Sequence, residues 1–305
     1  MNFKIFAIKF AAFILLFFAG DRMIGYIMTY FYDRAGGVYA RENYIRNTVN
    51  ADMLIIGSSR ATHHYVPSIL SDSLGLSVYN CGKDGNGVIY EYGRLQNIFA
   101  RYSPKIVILE LYPPLDLLKG DNNQFLAYLR PDYGKNEAID QIFADVDKTE
   151  PYKMNLLTYR YNSTIEKIFS NIFLDKNIFR TDGYSPLYAS LSKAPANMTM
   201  TSNPRLVNGD SLKLYYLNKI IELVKSQSQL IISVSPRLGA TNEMEGYDYV
   251  KQLCVENNIT LISYYADTSF VCDYRLFKDA VHLTDIGAKK YSSAFASVLK
   301  EIIIQ

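Results

Sequence analysis

Few side chains in this 305-residue sequence combine the type and the spacing that chemistry needs. Its three histidines are His63, His64 and His282, and a serine pair, Ser58-Ser59, closes the apolar run Asp52-Met-Leu-Ile-Ile-Gly57. A serine hydroxyl becomes a nucleophile when a histidine within hydrogen-bond reach takes its proton and a third group orients that histidine. His282 lies in Phe277-Lys-Asp-Ala-Val-His-Leu-Thr-Asp-Ile-Gly-Ala288, three residues after Asp279. That spacing lets a turn lay the carboxylate against one ring nitrogen and leave the other for a substrate-facing hydroxyl. Ser58 or Ser59, with His282 and Asp279, is therefore the candidate catalytic set. His63 and His64 fall on the helix after Ser59, and the expectation is that the helix carries them away from the serine's crevice. The plainer alternatives are that Ser58 or Ser59 caps that helix, and that Asp279 and His282 are ordinary polar residues before a helix.

The elements that would hold such a set can be read from the pattern. A short apolar run bounded by small residues suits a strand buried on both faces of a parallel sheet. In an open α/β sheet the ligand site lies beyond the carboxyl ends of the strands, which is where Ser59 falls. Further strands are expected at Leu76–Asn80, Lys105–Leu111, Gln229–Ser235 and Ile259–Tyr264. Helical patterns run over Ala61–Ser73, Val88–Tyr102, Ser211–Lys225, Gly246–Glu256 and Asp285 to about Ile303. Alternation of this kind predicts a doubly wound parallel sheet of five strands. Leu115–Asn208 is too long for one crossover and reads as an insertion. It carries helical patterns at Glu137–Val146 and Tyr152–Phe173 and then a Ser/Pro/Asn-rich stretch from Ser185. Such an insertion can sit over the strand ends as a lid or substrate wall, or be passive decoration.

The first residues differ in kind. Lys4 and Lys9 precede an unbroken apolar run, Phe10–Ala19, which reaches membrane-spanning length if counted from Phe3 or Ile5 with Lys9 snorkelling to the headgroups. A cleavage after Ala19 or Gly20 would put Phe17 or Phe18 where a small residue is expected. An uncleaved anchor is therefore favoured, with its lysine-bearing end cytoplasmic. Asp21–Arg34 extends the helix, either along a membrane surface or packed on the folded part, and Gly36-Gly37 ends it. The expected organisation is thus an anchor and juxtamembrane helix over residues 1–36, then one α/β/α domain over 37–305 with the insertion at about 115–208.

Bulk composition narrows the classes. Lys+Arg 32 against Asp+Glu 30 gives a net charge of +2, which does not point to nucleic acid. No metal-ligand spacing is present, and the Gly82-x-x-Gly85-x-Gly87 stretch is neither a P-loop nor a dinucleotide fingerprint. No cofactor is expected. Cys81, Cys254 and Cys272 allow at most one internal disulfide, with Cys254–Cys272 the conceivable pair.

Taken together, Gly57-Ser-Ser59, the glycine after the second strand and the Asp-x-x-His pair before the last helix resemble the SGNH, or GDSL-type, hydrolase superfamily. The resemblance implies a flavodoxin-like three-layer α/β/α sandwich. It makes Ser59 the nucleophile, His282 and Asp279 its triad partners, and the N–H groups of Ser59 and Gly85 the oxyanion hole. Two departures stand out. The family has Asp where Ser58 stands, although membrane-anchored relatives with Gly-Ser-Ser-Arg look alike here. The family also has Gly-x-Asn-Asp after the third strand, whereas this chain reads Glu110-Leu-Tyr-Pro-Pro-Leu-Asp116. Tyr112, Asn86 or Arg60 can replace the missing donor. Arg60, Asn86, Tyr112 and Arg237 are the candidate substrate contacts, the two arginines suiting an anionic group unless they form salt bridges.

The resemblance to the anchored branch implies an esterase or O-acyltransferase acting on acyl groups of an extracytoplasmic glycan, with a membrane-bound acyl donor as a partner. A catalytically inactive glycan-binding or assembly protein on the same fold is the alternative. A phosphate-handling or phospholipid-cleaving enzyme would follow if Arg60 and Arg237 converged beside Ser59.

Overall fold

The computed structural model describes residues 3–120, 122, 126–174, 182–193, 205, 208–241 and 244–304. The chain divides into two compact units, Met1–Tyr44 with Asn123–Phe179, and Ile45–Asn122 with Arg180–Gln305.

In the second unit β1 (Met53–Ile56), β2 (Val78–Asn80), β3 (Ile106–Glu110), β4 (Gln229–Val234) and β5 (Thr260–Ser263) form one parallel sheet in the order β2-β1-β3-β4-β5. This is the doubly wound order expected of the pattern, with its switch point between β1 and β3. Every residue of β1 and β3 is buried, which is why these strands read as continuous apolar runs rather than alternating ones. One sheet face, with Met53, Ile55, Ile106, Ile108 and Ile231, packs into a core completed by Leu70, Tyr291, Phe295 and Leu299. The helices that supply that core are α3 (Ser59–His64), α4 (Pro67–Leu74) and, at the end of the chain, the helix Asp285–Ile304. The side chains of β1 and β3 between those positions, Leu54, Ile56, Val107 and Leu109, point to the opposite face and are buried as well.

A single helix over Ala61–Ser73 does not form. Tyr65 and Val66 are extended, ending α3 and starting α4 at Pro67, because the residue before a proline is pushed out of the helical region. The break leaves α3 six residues long, with Ser59 at its first position. Elsewhere in this unit α5 (Val88–Phe99) follows the glycine loop, and α6 (Pro113–Asp116) follows β3.

The first unit is built on α1 (Phe3–Tyr32), one continuous helix, and takes in residues 37–44 of α2 (Gly37–Asn47), an element the sequence pattern did not announce. Residues 3–19 are all exposed, and α1 as a whole is long and apolar enough to cross a membrane. The C-terminal half instead packs inward. Met28 and Tyr32 join Ala35, Tyr39, Tyr161 and Ile168 in a small core. Asp21, buried, accepts hydrogen bonds from the Leu157 N–H (2.9 Å), the Thr158 N–H (3.0 Å) and the Thr158 hydroxyl (2.6 Å). One face of residues 21–34 thus packs within this unit, while Met23, Ile24, Tyr26, Ile27 and Tyr30 are exposed.

Residues 37–44 also belong with α1, so the compact units do not divide at residue 36. Of the insertion, Asn123–Phe179 belongs to the α1 unit, while residues 115–122 and 180–208 belong to the sheet unit. Its helices are α7 (Glu137–Val146), α8 (Glu150–Met154) and α9 (Ile165–Asn171), with a 3-10 turn at Thr158–Tyr161. The single helical pattern over Tyr152–Phe173 is thus broken into three pieces. Part of the Ser/Pro/Asn-rich stretch, residues 194–204 and 206–207, lies outside the described residues.

The sheet unit closes with α10 (Ser211–Lys225), α11 (Tyr247–Glu256), α12 (Thr268–Val271) and α13, the terminal helix Asp285–Ile304. Asp210 caps α10 by accepting from the Leu212 and Lys213 N–H groups. All three cysteines are free thiols, so no Cys254–Cys272 bridge is present.

Candidate active site

The site grows from the corner between β1 and α3. Gly57 takes φ +138°, and a Cβ there would lie 2.6 Å from the Glu110 carbonyl oxygen. Only glycine makes this corner, and the turn swings Ser59 to the mouth of the sheet. Ser58 holds the cap position of α3 without a side-chain capping bond. The Ser59 hydroxyl instead lies 2.7 Å from His282 Nε2. His282 Nδ1 lies 2.8 and 3.1 Å from the two Asp279 oxygens. Asp279 Oδ1 also accepts the N–H groups of Val281 (2.8 Å) and His282 (2.9 Å), a tight Asx turn that folds the carboxylate under the ring. Partial burial works to raise the Asp279 pKa. The hydrogen bond from the His282 ring, the Val281 N–H and the histidine's charge outweigh it and hold the carboxyl at about 2. Asp279 is thus an anion across the working pH range, and the Nδ1 proton of His282 is directed at it.

The glycine loop after β2 is tied against the same corner. The Lys83 N–H donates to the Gly57 carbonyl (2.9 Å) and the Cys81 N–H to that of Ile55 (2.7 Å). Asn80, fully buried, donates to the Ala61 and Tyr65 carbonyls at 2.7 and 3.0 Å and accepts from the Gly82 N–H at 2.9 Å. Gly85 sits in this loop at φ +76°, a conformation that glycine adopts without strain, and its N–H has no acceptor among the described residues. Asn86 is buried beside it, its N–H donating to the Lys83 carbonyl.

Two sequence expectations change here. Arg60 is neither a surface ion pair nor a ligand-facing cation. It is 1% exposed, with Nε 2.9 Å from Glu110 Oε1, Nη2 donating to the Ser235 carbonyl and Nη1 to that of Val281 (3.3 Å), and it stacks over the Tyr112 ring at 4.6 Å. Its charge answers a buried acid at the end of β3, so it cannot converge with Arg237 on a phosphate. Arg237 is itself buried, with Nη1 donating to the Leu238 carbonyl (3.3 Å). Tyr112 is buried between Arg60 and the stacked ring of Tyr265, 6.2 Å away.

The histidines on α3 also contradict expectation. His63 and His64 are not carried away: their rings meet that of His282 edge-on, with centroids 5.9 and 6.3 Å from it. Helical spacing explains this, since positions four apart share a face and His63 and His64 stand one turn beyond Ser59 and Arg60. His63 Nδ1 faces the Ser185 carbonyl at 2.6 Å. Sequence reasoning passed over Glu110 and Ser235 altogether. An acid closing the run Ile106-Val-Ile-Leu-Glu110, on a strand with no exposed face, was the available signal, because a buried carboxylate demands a cation.

What the arrangement can do chemically is activate a hydroxyl beside a helix start and a glycine N–H, with a histidine as base and a fixed carboxylate behind it. No group of acidic, histidine or cysteine residues among the described residues could hold a metal ion. No family model matches the chain, and no curated protein matches it. Among solved structures the chain is similar to one described as a "putative lipolytic protein of G-D-S-L family" from Desulfitobacterium hafniense DCB-2. The match has 14% identity and a TM-score of 0.41, over 81% of this chain and 98% of that one.

Proposed function

We propose that the protein is a serine-dependent acyl-ester hydrolase or O-acyltransferase of SGNH type. The observation that carries the reading is the unbroken relay from Ser59 Oγ through His282 to Asp279, at 2.7 and 2.8 Å. In the first half-reaction His282 Nε2 takes the Ser59 proton as Oγ attacks the acyl carbonyl. The developing oxyanion is met by the N–H groups of Ser59 and Gly85. The leaving alkoxide then takes the proton from His282, which leaves an acyl-Ser59. Water or a sugar hydroxyl, deprotonated by His282 in turn, accepts the acyl group and frees the serine.

The substrate class we assign is an O-acetyl or other acyl ester of an extracytoplasmic glycan. Support comes from the apolar N-terminal portion of α1, as an anchor with its lysine end in the cytoplasm, and from the resemblance to anchored SGNH proteins. A membrane-bound acyl donor would complete a transferase.

The test uses the full chain in detergent, a fluorophosphonate probe and p-nitrophenyl acetate. Wild type should label and turn over. Ser59→Ala should lose labelling altogether, and His282→Ala should lose turnover by on the order of 10⁴-fold or more. A folded wild type that neither labels nor hydrolyses would overturn the reading in favour of a glycan-binding protein on this fold. The lack of an asparagine in Glu110-Leu-Tyr-Pro-Pro-Leu-Asp116, where the resemblance puts the third oxyanion donor, keeps that second reading in view.

A further inference from the structure

The His282 loop is held from both sides by the helix that carries the nucleophile. Before His282, the Val281 carbonyl accepts from Arg60 Nη1 (3.3 Å). After it, the Leu283 N–H donates to His64 Nε2 (3.0 Å). Arg60 and His64 are four residues apart on α3 and both almost wholly buried, so they share the face that leads down from Ser59.

Behind them the donors and acceptors run in one sense. His64 Nδ1 lies 2.7 Å from the Ser235 hydroxyl, the Ser235 hydroxyl donates to Glu110 Oε1 (2.7 Å), and Glu110 also accepts from Arg60 Nε (2.9 Å), the Ser235 N–H (3.1 Å) and the Tyr65 hydroxyl. Because Ser235 gives its proton to the carboxylate, its oxygen must accept from His64. His64 Nδ1 then carries the proton, and Nε2 is left as the acceptor that Leu283 requires. The sense of the whole chain is set by one buried carboxylate at the end of β3. Burial first, then the charges of Arg60, His282 and His63, hold His64 far below the ordinary histidine range, so the ring stays neutral and the acceptor is kept.

From this geometry we infer that Arg60 and His64 form a clamp that positions the catalytic base, and that His64 is its proton-ordered half. His64 is fully buried and bonds Ser235 and Leu283 rather than the Ser59 hydroxyl, so it is a positioning residue. Glu110 is the anchor that orders the clamp, since it accepts from both Arg60 and Ser235. The inference rests on the triad reading above, since the clamp has a purpose only if His282 is the base.

The experiment compares His64→Phe, His64→Asn and His64→Gln in the full chain. Phenylalanine keeps the ring's shape and loses both bonds. Asparagine places a donor near Nδ1 but nothing at Nε2, whereas glutamine places an amide oxygen near Nε2. Two quantities are read: protection of the Leu283 amide against hydrogen exchange, and kcat and KM for ester turnover on protein shown to be folded. The Phe and Asn variants should lose Leu283 protection and drop kcat on the order of 10- to 100-fold with KM unchanged, the size expected of a misplaced base. Glutamine should restore protection and most of kcat.

Folded Phe and Asn variants that keep kcat within about twofold of wild type, or a Gln variant no better than Phe, would overturn the clamp while leaving the triad standing. A wild type without labelling or turnover would overturn the triad and the clamp's purpose together. Leu283 protection, read without any substrate, tells whether the bond itself exists in either case.

Discussion

Helix α3 and the first part of α1 are opposites. Residues 3–19 of α1 are all exposed, while Arg60–His64 of α3 are all buried. The α1 segment has no charged residue after Lys9 until Asp21, and α3 reads Ser-Arg-Ala-Thr-His-His. An apolar segment with nothing covering it suits a uniform surrounding, and α1 is long and apolar enough to cross a membrane. A polar segment with everything covering it is built for particular partners. Those of Arg60 and His64 come from β3, the residues after β4, and the loop before α13. The first kind of region is robust to single changes, and the second is not.

The sharpest way to break that contrast is at the acid beneath α3. Glu110→Gln leaves the Arg60 guanidinium buried without its counter-charge, and should cost about 3–5 kcal/mol of unfolding free energy, read by urea denaturation. A cost below about 1 kcal/mol would mean that the charge is not needed and that the buried ion pair does not order α3.

A smaller effect of opposite sign is expected one turn past β3. Burial, and the nearby charge of Glu110, push the Asp116 carboxyl up to about 7 from the usual 3.8, against the hydrogen bond from the Tyr112 N–H. The folded state therefore holds this proton more tightly than the unfolded chain. Asp116 costs nothing below pH 3.8, an increasing amount as the pH rises toward 7, and a constant amount above that. Asp116→Asn, which keeps an acceptor for Tyr112, should match wild type near pH 4 and exceed it by on the order of 2–4 kcal/mol at pH 8. A stability difference that does not change with pH would mean that Asp116 stays ionised in the fold.

The smallest effect belongs to α1. Removing residues 1–18 should change the unfolding free energy by less than about 0.5 kcal/mol, as for exposed positions elsewhere, while releasing the chain from detergent or membrane fractions. A large loss of stability would show that the segment is structural rather than an anchor.

How much was legible in advance follows the same division. The five strands, α7, α10 and the terminal helix could be placed because burial on both faces, or on one stripe, leaves a pattern of apolar residues that any reader of the chain can count. Ser59, Asp279 and His282 could be grouped in advance from their types, spacing and resemblance, and the fold brings them within hydrogen-bond reach at 2.7 and 2.8 Å. The breaks were not: Tyr152–Phe173 carries helical periodicity throughout, yet becomes α8, a 3-10 turn and α9. His64 looked like a bystander because its partners are Leu283, 219 residues away, and Ser235, 171 away.

The sequence by itself determined the doubly wound sheet, the exposed apolar helix and the short list of groups able to do chemistry. Those properties are written in local composition, where periodicity and turn geometry act over a few residues. Only the tertiary structure decided which way the α3 histidines face, that Arg60 answers Glu110 rather than a ligand, and that Asp21 ties α1 to the Leu157–Thr158 backbone. Each of these is a buried polar group whose desolvation must be offset by a partner distant in the chain, and one sequence does not say which partner folding will bring.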